Sequence, residues 1–251
     1  GYPQPLHIIS AQLSELGLTL ASKSVDGKSN EIPAVQDLLQ QLDIAGCLVV
    51  ADALNCQKKT AEVIVSGKGD YLLSVKENHP SLLQDIRDYV QDDSLRAAMT
   101  SQTIQEKSRD RIETRTAFVS HNIDWLPQKE QWVHLACIGA IHTQFQTQAG
   151  KSSQWHYYLS SRQLSAGELL HHARMEWAVE SMHWMLDVHF EEDYLRVANK
   201  TIQENLNLLR KFSLGLIKQY KSKTGSKRAL SKLMFDCLLD CSMILRILFQ
   251  N

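Results

Sequence analysis

Two short alternating segments, Leu6–Gln12 and Leu18–Val25, predict strands separated by a turn at Glu15–Gly17. Asn30 is placed to cap a helix from Glu31 to about Asp43, with Pro33 tolerated in its first turn. Cys47–Asp52 opens as an unbroken apolar run, the pattern of a strand buried on both faces. Asn55 is then available to cap a helix over Gln57–Ser66, Asp70–Lys76 reads as another strand, and Pro80 opens a helix to about Val90. The order β-β-α-β-α-β-α requires a mixed sheet with helical crossovers.

The pattern then changes. Thr103–Ser120 mixes charges with β-branched residues, and Trp132–Gln146 and Trp155–Ser160 are also strand-like. From Ala166 the periodicity is helical: Ala166–Val188, Thr201 to about Tyr220, and Ser231–Phe249, with the polar stretch Lys221–Arg228 between the last two. Three parts follow: a first core segment (1–95), a β-rich insertion (96–162) and a helical part (163–251).

Composition narrows the class. Apolar residues are 43% of the 251 and charged residues 22%, which excludes a disordered or collagen-like chain. The net charge is -1, but from Lys200 onward there is an excess of seven positive charges, against eight negative before it. Five cysteines without a C-x-x-C pair predict a reduced, cytoplasmic setting. Asp236, Asp240 and Arg246 interrupt the apolar run Leu233–Phe249, so no membrane partner is predicted. The opening Gly1 reads as the start of a fragment or a processed product.

Asp52 ends a predicted buried strand, the place where ligands gather in α/β sheets; the competing role is a helix cap. Glu176, Glu180, His183 and Asp187 recur at helical spacing, beside an apolar stripe of Trp177, Trp184 and Val188. A solvated acidic face is the alternative, and the tryptophans argue against full exposure. Carboxylates from a strand end and a helix suit a hard divalent cation such as Mg²⁺. Two such ions serve phosphodiester chemistry. Glu180-x-x-His183 lacks the second copy that a di-iron bundle requires, and no zinc cluster or phosphate-binding glycine loop is present.

In the basic segment, Ile202, Leu206, Leu209, Phe212 and Leu216 predict a helix face packed on the body. Lys218, Lys221, Lys223, Lys227, Arg228 and Lys232 remain to contact phosphates of double-stranded DNA, or to form a solvated surface.

Four ordered motifs carry a family resemblance: Lys28-Ser-Asn-Glu-Ile32, the stretch Cys47–Glu62 with Gly69–Asn78, Val179–Val188 followed by Glu192-Asp193, and Asn205–Lys211. Together they resemble bacterial insertion-sequence transposases related to the H-repeat-associated proteins. The resemblance implies a DDE-type enzyme with an RNase H-like α/β fold and a β-rich insert before the last catalytic residue. It assigns Asp52 and Glu180 as the second and third acidic ligands of Mg²⁺ (or Mn²⁺). The first ligand belongs to a strand ahead of Leu6–Ala11, which this sequence does not contain, and Asp26 is no substitute because it lies in the later Lys-Ser-Asn-Glu motif. Glu176 departs from the basic or imidazole side chain usual there.

The implied function is metal-dependent cleavage and transfer of DNA strands, on element ends and target, with a homodimer in the DNA complex. With two of three acids the chain is expected to be inactive as it stands. The rival is a non-catalytic DNA-binding remnant or a domesticated transposase-derived protein.

Overall fold

The computed structural model describes residues 7–14, 18–25, 31–107, 111–148, 150–190 and 199–249; the side chains of residues 7, 178–184 and 200 are not described. It divides into two compact units, residues 35–177 and residues 1–34 with 178–251. The predicted elements at Glu15–Gly17, the Asn30 cap, Asp26 and Glu192-Asp193 lie outside the described residues.

Residues 35–177 are built on a mixed six-stranded sheet. Its strands are β3 (Leu48–Ala51), β4 (Asp70–Val75), β5 (Thr100–Lys107), β6 (Arg111–Ser120), β7 (Cys137–Thr147) and β8 (Gly150–Ser160), in the order β3-β4-β8-β7-β6-β5. β3 and β4 are parallel, and every other pairing is antiparallel. The side-chain period of two sorts one strand into two cores. Tyr71, Leu73 and Val75 of β4 face Ile64 of α2 (Lys58–Ser66) and Leu82 and Ile86 of α3 (Pro80–Gln91), whereas Leu72 joins Leu169, Leu170 and Ala173 of α5 (Ala166–Phe190). β4 is therefore buried from Tyr71 to Val75, Ser74 included, because both of its faces are covered. Gly139 lets α5 approach closely: a Cβ there would lie 2.6 Å from Leu169 Cδ2.

β8 pairs directly with β4, from Leu72↔Ser160 to Val75↔Tyr157, so the strands of 96–162 extend the sheet begun by β3 and β4. The first two strands depart from the expected single mixed sheet. β1 (His7–Leu13) and β2 (Leu18–Val25) pair antiparallel in a two-stranded sheet of their own, with a register shift at Ala11/Gln12.

In the other unit, β2 packs against α6 (Lys200–Thr224). The predicted packing face of α6 holds in part: Leu206 and Leu216 are half-buried, and Leu216 packs beside Ile217. Ile202, Leu209 and Phe212 are instead 47%, 59% and 53% exposed, while Asn207, Lys211, Leu214 and Ile217 are buried. Polar pairing sets this rotation: Lys211 Nζ donates to Ser10 Oγ at 2.8 Å, and Ser24 Oγ donates to Glu204. The predicted last helix is two, α7 (Leu230–Leu239) and α8 (Cys241–Phe249). Asp240 breaks it, with extended backbone (φ -140°, ψ 107°) and a carboxylate accepting from Ser242 N and Oγ at 2.8 and 2.6 Å. Leu233, Met243 and Ile247 of these helices pack with Ile217. No helix of the described residues is long and apolar enough to cross a membrane, and all five cysteines are free.

Candidate active site

Asp52 is the first residue past the carboxyl end of β3, as its apolar run predicted, and it is exposed. Its Oδ1 accepts from Asn55 N at 3.2 Å and from Asn55 Nδ2 at 3.0 Å. Asn55 was expected to cap α2, but Gln57 occupies the N-cap position and makes no side-chain bond. The side chain of Asn55 instead ties the aspartate into a turn, a common use of Asx residues at strand ends. Oδ2 makes no hydrogen bond among the described residues. Burial and the nearby Asp52 charge push the Cys56 thiol up to about 12, so it stays protonated beside the carboxylate.

Glu180 lies on α5, but its side chain is outside the described residues, as are those of His183 and Trp184. Of the same predicted row, Glu176 is half-buried and Asp187 is exposed. The apolar stripe divides likewise. Trp177 lies under the Arg115 guanidinium, 5.2 Å from ring centroid to Cζ, whereas Val188 is 51% exposed.

The sequence reading missed an ionic network beside Trp177. Arg115 pairs with Glu106 at 3.0 Å and with Glu113, and Arg174 of α5 also pairs with Glu106. Hydrogen bonding from Arg174, with that from Arg115, lowers the pKa of Glu106 below the usual carboxylate range. A signal existed in the alternation of Glu106, Glu113 and Arg115 along two strands, but it required the observed register, in which Glu113 stands opposite Glu106 and Arg115 opposite Ile104.

A divalent cation requires several hard oxygens. Among the described residues no group of three or more His, Cys, Asp or Glu side chains is placed to hold a metal. Asp52 suits such an ion in ligand type and in its available Oδ2, as one member of a larger set.

The basic residues are dispersed. Lys221 and Lys223 belong to the last turn of α6, which ends at Gly225 in the left-handed region (φ 63°). Lys223, Lys227, Arg228 and Lys232 are exposed, and Lys218 and Lys221 are half-buried. Burial lowers the pKa of Lys218. Arg228 Nη1 is bound to Asp236 at 2.5 Å.

The Transposase DDE domain family matches residues 6–216, spanning β1 to the middle of α6 with Asp52 and Glu180 inside the match. The chain belongs to this family. Within it, the chain is 33% identical over 243 residues to "Putative transposase YncI" of Escherichia coli O157:H7, covering 94% of this chain and 62% of that protein. It is 31% identical over 239 residues to the "H repeat-associated putative transposase YhhI" of Escherichia coli, covering 92% and 63%. The chain therefore spans about three-fifths of the length of these relatives. The cryo-EM structure of the piggyBac transposase synaptic complex with hairpin DNA aligns with 96% of this chain and 48% of its own, at a TM-score of 0.49 and 11% identity. That likeness is too remote to inform the site. As a member of the transposase DDE-domain family, the chain matches the resemblance carried by its four motifs.

Proposed function

We propose that this chain is the catalytic region of an insertion-sequence transposase, an RNase H-like core in which Asp52 and Glu180 supply two of the acidic ligands for Mg²⁺ (or Mn²⁺). The observation that carries the reading is the exposed carboxylate of Asp52 at the end of a parallel strand, inside the family match. A bound divalent ion would supply activation of an attacking oxygen and stabilisation of the leaving one at a phosphodiester. Asp52 contributes a fixed charge, because Asn55 holds one of its oxygens and leaves the other available. The substrate is double-stranded DNA, at element ends and target. Lys221, Lys223, Lys227 and Lys232 support backbone contact, with Lys218 and Arg228 secondary. The protein works in the cytoplasm, as a homodimer on DNA, without a membrane partner.

A second reading is DNA binding without cleavage. A plasmid assay with Mg²⁺ or Mn²⁺ separates them. The 251-residue chain should bind duplex DNA without nicking it, because the resemblance matches two acids of three. A longer form carrying the remaining acid should nick, and Asp52→Ala or Glu180→Ala should abolish nicking. Nicking by the chain alone, lost on Asp52→Ala, would mean that another residue is the third ligand; Glu31, Glu176 and Asp26 are the candidates, in that order. A longer form that binds but never nicks favours the second reading.

A further inference from the structure

The turn that carries Asp52 is held from outside itself. Asn78 Nδ2 donates to Ala53 O at 2.6 Å, and His79 Nε2 lies 2.6 Å from Cys56 O. A carbonyl oxygen only accepts, so Nε2 carries the hydrogen in this contact. Both distances are at the tight end for nitrogen–oxygen bonds. Both donors follow β4, the parallel neighbour of β3, so adjacent strand ends are linked directly. Inside the turn, Cys56 N donates to Ala53 O at 3.2 Å and Gln57 N donates to Asn55 O at 2.8 Å.

His79 is not used locally. It occupies the N-cap position of α3 yet makes no side-chain cap bond, and its ring meets Trp132 edge-on at 5.4 Å and 74°. Trp132 is itself 2% exposed and fixes the ring plane. A neighbouring contact, Lys58 Nζ to Gln131 Oε1 at 2.5 Å, ties the start of α2 to the same wall.

We propose that Asn78 and His79 are positioning residues for the Asp52 carboxylate: they hold the 52–57 turn in the conformation in which Asn55 engages Oδ1 and Oδ2 remains available to a divalent cation. This inference rests on the reading of Asp52 as a metal ligand. Partners that orient a ligand without touching the metal commonly change metal affinity 10- to 100-fold when removed.

The test uses the 251-residue chain with Mn²⁺ as probe, titrated by electron paramagnetic resonance, together with hydrogen exchange of the 52–57 amides and urea unfolding to verify the fold. Asn78→Asp replaces the donor with a charge facing Ala53 O, and His79→Leu removes the ring donor. Each should speed exchange in the turn at least about tenfold and weaken Mn²⁺ binding about tenfold. His79→Gln, which keeps a donor at similar reach, should restore both. Asn78→Ser replaces Asn78→Asp if the latter does not fold. Asp52→Asn keeps the Oδ1 acceptor, so it should lower Mn²⁺ affinity with exchange nearly unchanged. Unchanged Mn²⁺ affinity in Asn78→Asp and His79→Leu, while Asp52→Asn lowers it, overturns the positioning role alone. Mn²⁺ binding indifferent to Asp52→Asn overturns the metal reading and this inference with it.

Discussion

Asp52 Oδ1 accepts both the main-chain and the side-chain amide of Asn55, at 3.2 and 3.0 Å. One short side chain thereby fixes the orientation of a carboxylate that is otherwise exposed at a strand end. Asn55→Ala removes the side-chain half of this grip. It should cost about 1 kcal/mol of stability, the usual net value of one such bond, and speed exchange of the amides next to it. Chemical denaturation with amide exchange on the same variant checks both.

Thiol chemistry offers a second check on the same turn. Cys56 is fully buried, with its pKa pushed up to about 12, while Cys47 and Cys241 are exposed. Cys56 thus stays a thiol at pH 8, and the thiolate is the reactive form. Iodoacetamide should therefore label Cys47 and Cys241 in the native chain and spare Cys56 until urea unfolds it. Native labelling of Cys56 at rates near those of Cys47 would show the turn to be open.

The seating of α5 on the sheet depends on Gly139. Its replacement by alanine would press a methyl group against the buried Leu169. Gly139→Ala should destabilise the chain by about 1–3 kcal/mol, the range for overpacked cores. Pairing it with Leu169→Val should recover part of that loss, and urea midpoints measure both.

Glu106 gives a pH signature with a defined sign. Its folded pKa lies below the ordinary 4.5 because Arg174 and Arg115 bond the ionised form. The folded state therefore binds this proton less readily than the unfolded chain. The contribution is present above the unfolded pKa and is lost as pH falls through the lower folded value. The site is open to solvent, so screening keeps the effect small. Urea midpoints of wild type and Glu106→Gln should differ at pH 7 and converge as the pH drops below about 4.

DNA binding should depend on Lys223, Lys227 and Lys232 more than on Arg228, which is already paired with Asp236. Each phosphate contact contributes about -0.9 to the salt slope on duplex DNA. Replacing the three exposed lysines with alanine should flatten the slope by up to about 2.7. Asp236→Asn, which releases Arg228, should steepen it. Fluorescence anisotropy across a salt series reads both, and an unchanged slope in both variants would leave this segment as a solvated surface.

Much of the element order was legible because β3 reads as an unbroken apolar run and helices α2 and α3 carry clean apolar periodicity. Asp52 was legible for the same reason: an apolar run that ends in a carboxylate marks a strand end. The orientation of α6 was not. Long-range pairs of Lys211 with Ser10 and Glu204 with Ser24 set its rotation. The break at Asp240 was hidden inside an apolar run, although Asp240-Cys-Ser242 is a recognisable cap. The contacts of Asn78 and His79 were out of reach, because they join loops 25 and 23 positions apart through backbone carbonyls. No side-chain pattern records such an acceptor.

Mn²⁺ titration of wild type, Asp52→Asn, Glu180→Gln and the double variant tests the proposal that Asp52 and Glu180 bind one ion. If the two carboxylates share the ion, each single change should weaken binding and the double change should add little more, since residues acting as one unit are not additive. Full additivity, or Mn²⁺ affinity unmoved by Glu180→Gln, would contradict the account.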